Sequence, residues 1–235
     1  MIKLIILDVD GVLLEVRSFW TFLHEKLDTY DETESNRNMQ MFFQGELSYQ
    51  EWADLEASAW KDISYEKVRE LLLDIPLTKG TEETLTKLNE MEYLVIAISS
   101  GGLLSVLKER FGNLSLKYIY ANDLEQKDGV LTGKAVINVP FDKKRQVVEE
   151  NVLNTEGIEW EECAVIGDSI NDLEMFRVAK LRIAFCPSDA MLVPIADHVI
   201  RERDLTQIIP YFELPKSPQN RGFQIYSNEI GNKDI

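Results

Sequence analysis

At 235 residues, 45% of them hydrophobic, the chain carries enough apolar material for a sizeable core, which excludes a disordered or fibrous protein. Its 41 acidic and 25 basic residues leave a formal charge of −16, the wrong sign for a nucleic-acid or anionic-membrane surface. No apolar run approaches the roughly 18–20 residues of a membrane span, and the N-terminus lacks a signal-peptide pattern. Cys163 and Cys186 stand in apolar contexts and read as buried small hydrophobes rather than a bridge, so the expected location is cytoplasmic.

The chain opens MIKLIILDVDGVLLEVR, in which IKLIIL (2–7) reads as a buried strand that stops at Asp8 and Asp10. From about Glu15 to Asp74 there is no strand pattern. FWTFLHEKL, MQMFFQG, YQEWADLEASAW and YEKVRELLL instead predict a helical insertion, rich in Phe and Trp, placed directly after the first strand. Phe43, Trp52 and Trp60 are assigned to its core, Trp20 and Phe42 to a pocket, and His24 and His198 to structural positions.

Helical spacing then covers 81–91 and a strand 93–99, followed by a helix at 103–111. YIYANDLEQKDGVLTGKAVIN (118–138) reads as a hairpin turning at Asp128-Gly129. A helix at 143–153, a strand at 163–167, a helix at 171–180 and a strand at 181–185 complete the series. Such alternation predicts an α/β fold with a mostly parallel sheet, whose ligands bind beyond the carboxyl ends of the strands. The expected organisation is a core of 1–14 and 75–212, a cap of 15–74, and a polar tail of 213–235.

Asp8 and Asp10 leave the same side of an extended chain. Adjacent carboxylates repel, so they persist with a cation, a shared proton or full solvation. A second apolar strand, in AVIGDSIND, also ends on an acid, Asp168, and is followed by Asn171 and Asp172. If the two strands are neighbours, the carboxylates converge, and hard oxygen ligands of that kind suit Mg²⁺. Ser-x-x-Asp at 169–172 reads equally as a helix capping box.

SSGG at 99–102, between a strand and a helix, lets backbone N–H groups and a hydroxyl approach an anion. DKKRQVV places Lys143, Lys144 and Arg145 at a helix start, where cations are unfavourable without an anionic partner. Solvated lysines behind Asp142 would also account for them.

These pieces, in this order, resemble the haloacid-dehalogenase superfamily, and SSGGLLSVL, YANDLEQKDGVLTG, TEGIEWEECAVIGDSINDLEMF and LRIAFCP are most similar to its phosphoserine-phosphatase-like members. The resemblance implies a Rossmann-like core with a helical cap inserted after the first strand. It implies Asp8 as the nucleophile and Asp10 as the general acid and base. It implies Mg²⁺ held by Asp8, the carbonyl of Asp10, and Asp168, with Asn171 and Asp172 orienting metal and substrate. Ser100, or Ser99, would bind phosphate with Gly101. The conserved cation of such proteins falls on Lys144 by helical phase, with Lys143 and Arg145 as the other readings. An Asp at position 10 is absent from members that dehalogenate carbon or pump ions, so phosphomonoester hydrolysis is expected, with transfer to an acceptor alcohol as the alternative. The partner would be a small phosphorylated metabolite; the oligomeric state is open.

The resemblance breaks at the cap. Phosphoserine phosphatases carry an acid nine residues after the nucleophile, where this chain has Arg17, and a cap Arg, which the sequence aligns with Gln50. Arg17 would repel an amino group and attract an anionic or hydroxyl-rich ligand. Free phosphoserine is accordingly not the expected substrate, unless a divergent cap binds it differently.

Overall fold

Uninterrupted apolar runs set the centre of the molecule. In the computed structural model, which describes residues 1–213, β1 (Leu4–Asp8) is buried along its whole length, as a strand covered on both faces must be. Then come α1 (Phe19–Lys26), α2 (Glu32–Phe43), α3 (Tyr49–Ser58), α4 (Tyr65–Leu73), α5 (Thr81–Glu90), β2 (Leu94–Ile98) and α6 (Leu104–Phe111). After β3 (Tyr118–Tyr120), β4 (Asp123–Lys127) and β5 (Val130–Val136), α7 (Lys144–Val148) runs through a π-helical turn (Glu149–Leu153) into α8 (Asn154–Glu156). The chain closes with β6 (Cys163–Gly167), α9 (Leu173–Phe176), β7 (Leu181–Phe185) and β8 (His198–Ile200).

A six-stranded sheet in the order β3-β2-β1-β6-β7-β8 has every neighbouring pair parallel. The fold is α/β with a mostly parallel sheet, as the alternation of elements predicts. β1 lies between β2 and β6, and its register sets Asp8 beside Ile98, the last residue of β2. Strand order reverses at this point, which opens a crevice at the carboxyl ends of β1, β2 and β6.

The helices α1–α4 are built on local signals. Ser18, Asp31 and Ser48 accept hydrogen bonds from first-turn N–H groups of α1, α2 and α3, and Ser48 with Glu51 forms a full capping box. The chain leaves for these helices and returns from them side by side: Glu15 N–H donates to the Pro76 carbonyl (2.9 Å) and Thr78 N–H to the Leu13 carbonyl (3.0 Å). Trp60 is fully buried and stacks on Trp20 with centroids 5.7 Å apart, so aromatic packing forms the interior here.

Three expectations change, and one strand was not foreseen. The stretch 118–138 is not one hairpin: β3 joins the main sheet beside β2, and only β4 and β5 pair around Asp128-Gly129. Apolar Ile119, between Tyr118 and Tyr120, extends the sheet edge instead. The helix expected at 171–180 is a 3-10 turn (Ile170–Asp172) followed by α9, which stops at Phe176, and the Lys180 N–H donates to the Trp160 and Cys163 carbonyls instead of continuing a helix. The short strand β8 carries no sequence signal long enough to reveal it. Phe43, assigned to the cap core, is 62% exposed: it is the last residue of α2, and its ring meets Phe42 and Phe141. His198 stacks on Tyr211 at 4.1 Å and is structural. Both cysteines are free, Cys163 buried and Cys186 half-buried. Beyond its first residue, the polar tail expected at 213–235 lies outside the described residues. Among the described residues no helix is long and apolar enough to cross a membrane.

Candidate active site

The carboxyl ends of β1 and β6 bring the acids together. Asp8, at the last position of β1, is buried, and its Oδ1 accepts from the Val9 N–H (2.8 Å) and from Lys144 Nζ (2.7 Å). Lys144, the first residue of α7, is itself fully buried and also donates to Asp172 Oδ1 at 2.8 Å. Asp172 is anchored in turn, its Oδ2 accepting from the N–H groups of Asp168 (3.1 Å) and Ser169 (3.4 Å). Asp168 follows β6 and accepts from Ser188 Oγ at 3.0 Å.

Burial and the nearby Asp172 push the Asp8 carboxyl well above its usual range, while Lys144 pulls it back. Burial works against the charge on Lys144, but Asp172 and Asp8 outweigh it and raise its pKa. Burial, then Asp172, brings Asp168 to about 6. Three carboxylates crowded in a dry crevice call for a cation beyond Lys144. Asp8, Asp168 and Asp172 each offer an oxygen, all within 4.8 Å of one another, a hard-ligand set that fits a divalent cation. Gly11 leaves room for that cluster: its φ is +82°, and a Cβ there would lie 2.4 Å from Asp168 Oδ2.

Asp10 points the other way, towards the helices. Its Oδ2 accepts from the Phe19 N–H at 3.1 Å, a free donor in the first turn of α1. Burial raises the Asp10 carboxyl to about 6, with the Phe19 N–H opposing. Gly101 sits against it, where a Cβ would approach Asp10 Oδ2 to 2.9 Å.

The two serines part company. Ser99 Oγ turns inward to accept from the Gly101 N–H (2.9 Å), whereas Ser100 faces the crevice and its Oγ accepts from Asn171 Nδ2 (3.1 Å). The three candidate cations part likewise. Lys143 pairs with Asp142 at 3.3 Å, Arg145 with Glu149 at 2.7 Å, and Lys144 alone of the three reaches Asp8.

Above these groups, α1, α2 and α3 close a cavity of about 190 Å³ whose lining includes Asp8, Asp10, Ser100, Gly101, Asn171 and Arg17. Trp20 and Phe42 line it as expected; Trp52 is buried in the core, as assigned, and also borders the cavity. The Tyr49 hydroxyl donates to the Ser100 carbonyl at 2.5 Å and ties α3 to the phosphate-binding turn expected there.

A match to the haloacid dehalogenase-like hydrolase family covers residues 2–180. The chain belongs to that family. This hydrolase is 33% identical over 213 residues to the phosphoserine phosphatase of Methanocaldococcus jannaschii, a span of 90% of this chain and 98% of that one. It is 30% identical to the phosphoserine phosphatase of Campylobacter jejuni subsp. doylei over 89% and 99% of the two chains. Among solved structures it is similar to a phospho-aspartyl intermediate analogue of phosphoserine phosphatase, with a TM-score of 0.75, 31% identity, and 90% and 99% of the chains covered.

Several residues of this hydrolase's site escaped the sequence reading. Gln50, aligned with a cap arginine, is exposed and donates to Asp54 Oδ1 (3.1 Å) and the Ala135 carbonyl (3.0 Å), away from the cavity. The cavity receives Glu56 instead, nearly two helical turns further along α3. A buried acid within ASAW-type apolar surroundings was the available signal. His24, taken as structural, also lines the cavity. Ser188 follows β7 and Arg203 donates to the Gly11 carbonyl (3.2 Å); strand-end placement hinted at the first and nothing local at the second. Asn122 gathers the Ser100 and Val139 carbonyls from inside the core.

Proposed function

We propose that this hydrolase is a Mg²⁺-dependent phosphatase of a small phosphomonoester, working through an aspartyl-phosphate on Asp8. The observation that carries the reading is the pairing of two unlike carboxyls at one cavity: Asp8 held by Lys144, and Asp10 held by a helix N–H. An Mg²⁺ bound by Asp8, the Asp10 carbonyl and Asp168 would add positive charge that keeps the carboxylates ionised and offsets charge on the phosphoryl oxygens.

Asp8 Oδ2, free of the lysine, attacks phosphorus while the bond to the leaving alcohol oxygen breaks. Asp10, brought to about 6 by burial, gives its proton to that oxygen. The alcohol leaves, and Asp10, now ionised, takes a proton from a water that attacks the phosphorus of the aspartyl-phosphate. Phosphate departs with Asp8 and Asp10 restored. Ser100 and Lys144 would hold the phosphoryl oxygens beside Gly101, whose lack of a side chain keeps that approach open, and Asn171 would fix the Ser100 hydroxyl. The helices α1–α4, proposed as a cap over 15–74, would exclude bulk water.

Arg17 lines the same cavity and has no ion-pair partner among the described residues, which supports a substrate other than free phosphoserine. Purified protein with Mg²⁺ is expected to hydrolyse p-nitrophenyl phosphate, and Asp8→Asn to lose that activity. Full activity in the Asn variant, or none in the wild type on any phosphomonoester, overturns the reading. Arg17→Glu is expected to change the ranking of metabolite phosphates more than the rate on p-nitrophenyl phosphate.

A further inference from the structure

The carbonyl of Ser100 accepts hydrogen bonds from two distant parts of the chain, the Tyr49 hydroxyl at 2.5 Å and Asn122 Nδ2 at 2.6 Å. A carbonyl oxygen has two lone pairs, so both are spent. Because a peptide unit is planar, holding its oxygen fixes the whole Ser100–Gly101 link. The other end of that link is pinned as well, since the Gly101 N–H donates to Ser99 Oγ at 2.9 Å. The Ser100 side chain faces the cavity from this held backbone, its Oγ accepting from Asn171 Nδ2 at 3.1 Å.

Tyr49 is itself firmly placed. It opens α3 directly after Ser48, whose capping box with Glu51 sets the first turn, and its ring stacks on Trp52 with centroids 5.3 Å apart. The residue is buried, and burial pushes its hydroxyl above the ordinary tyrosine range, so it keeps the proton it donates. Both donors belong to one frame. Asn122 Oδ1 accepts from the N–H groups of Asn138 (2.8 Å) and Val139 (2.7 Å), so Asn122 closes the base of the β4-β5 ribbon. On that ribbon α3 is seated, with Asp54 Oδ1 accepting from the Ala135 N–H at 2.9 Å and Gln50 Nε2 donating to the Ala135 carbonyl at 3.0 Å. The insertion and the ribbon thus converge on one backbone oxygen of the phosphate-binding turn.

We propose that Tyr49 is a positioning residue for the phosphoryl group: its hydroxyl, carried by the helical insertion, fixes the Ser100 backbone and through it the Ser100 hydroxyl. Without that donor the carbonyl keeps the Asn122 bond alone, and the peptide is free to rock about it. A displacement of about 1 Å at a group that grips the reacting centre is costly in rate. The role runs through one oxygen atom and not through the packing of the ring, so removing the hydroxyl isolates it. This inference rests on the phosphatase reading above.

The test is a double-mutant cycle on kcat/KM for p-nitrophenyl phosphate with Mg²⁺, using Tyr49→Phe, Ser100→Ala and the two together. Tyr49→Phe retains the ring on Trp52 and is expected to lower kcat/KM about tenfold. In the Ser100→Ala background the same change is expected to cost less than about twofold, because the hydroxyl it positions is gone. An undiminished rate in Tyr49→Phe overturns the proposal. So does an equal loss in both backgrounds, which is what mere closure of the cavity would give. Affinity for inorganic phosphate with Mg²⁺, measured by calorimetry on the same four proteins, makes a second cycle that needs no turnover and is expected to follow the first. Equal phosphate affinities in wild type and Tyr49→Phe sink the positioning role. If the wild type turns over no phosphate ester, the phosphatase reading fails on its own and the phosphate cycle alone decides this inference; a wild type that also binds no phosphate overturns both.

Discussion

Lys144 Nζ lies 2.7 Å from Asp8 Oδ1, bridging residues 136 apart in the chain, and spends its other contact on Asp172 at 2.8 Å. One ammonium thereby holds the acid at the end of β1 against the acid that caps the turn after β6. Replacing it with methionine leaves two buried carboxylates facing each other. Lys144→Met is expected to lower kcat at least about a hundredfold and to destabilise the protein by about 3–5 kcal/mol. Chemical denaturation should show a smaller loss with Mg²⁺ present. Lys144→Arg is expected not to restore activity, because a planar fork does not reproduce a compact charge between two oxygens.

The acidity of Asp10 sets a pH limb. Burial raises its carboxyl to about 6, so the protonated form dominates below that pH and declines above it. For an alkyl phosphate, whose leaving oxygen needs the proton, kcat/KM is expected to fall as pH rises through about 6, approaching tenfold per pH unit. p-Nitrophenyl phosphate has a leaving group that departs without protonation and should lack this limb. Parallel profiles for the two substrates would remove Asp10 as the acid.

Gly11 is expected to tolerate no side chain. An alanine Cβ would meet Asp168 Oδ2 at 2.4 Å, on a backbone with φ +82° that L residues rarely adopt. Gly11→Ala should cost about 1–3 kcal/mol in stability and raise the Mg²⁺ concentration for half-maximal activity. Titration of activity with Mg²⁺ checks this. An unchanged requirement would separate Asp168 from the metal.

The aromatic residues of the helical insertion divide by burial. Trp60, fully buried, is expected to cost about 3–5 kcal/mol as alanine. Phe43, 62% exposed, should stay within about 0.5 kcal/mol. Thermal unfolding of the two variants tests the contrast.

Local chemistry made much of this molecule legible in its sequence. Short continuous apolar runs alternating with helical spacing read as strands covered on both faces, so IKLIIL, LVIAI, CAVIG and LRIAF foretold the parallel sheet, and acids terminating two of those runs marked the crevice. Helical spacing did the same for the insertion. Choices between sequence neighbours were another matter. Successive residues of a helix point about 100° apart, so which of Lys143, Lys144 and Arg145 faces inward depends on how α7 seats against β1 and β6. Ser99 and Ser100 separate for a similar reason, one side chain being consumed by the turn's own Gly101 N–H. Gln50 and Glu56 lie on one helix, and only the packing of α3 against the β4-β5 ribbon and the core turns the second towards the cavity. Residue type and spacing thus determined the strands, the helices and the acids at the strand ends. Which of those side chains meet was decided by contacts between segments far apart in the chain, which no local pattern contains.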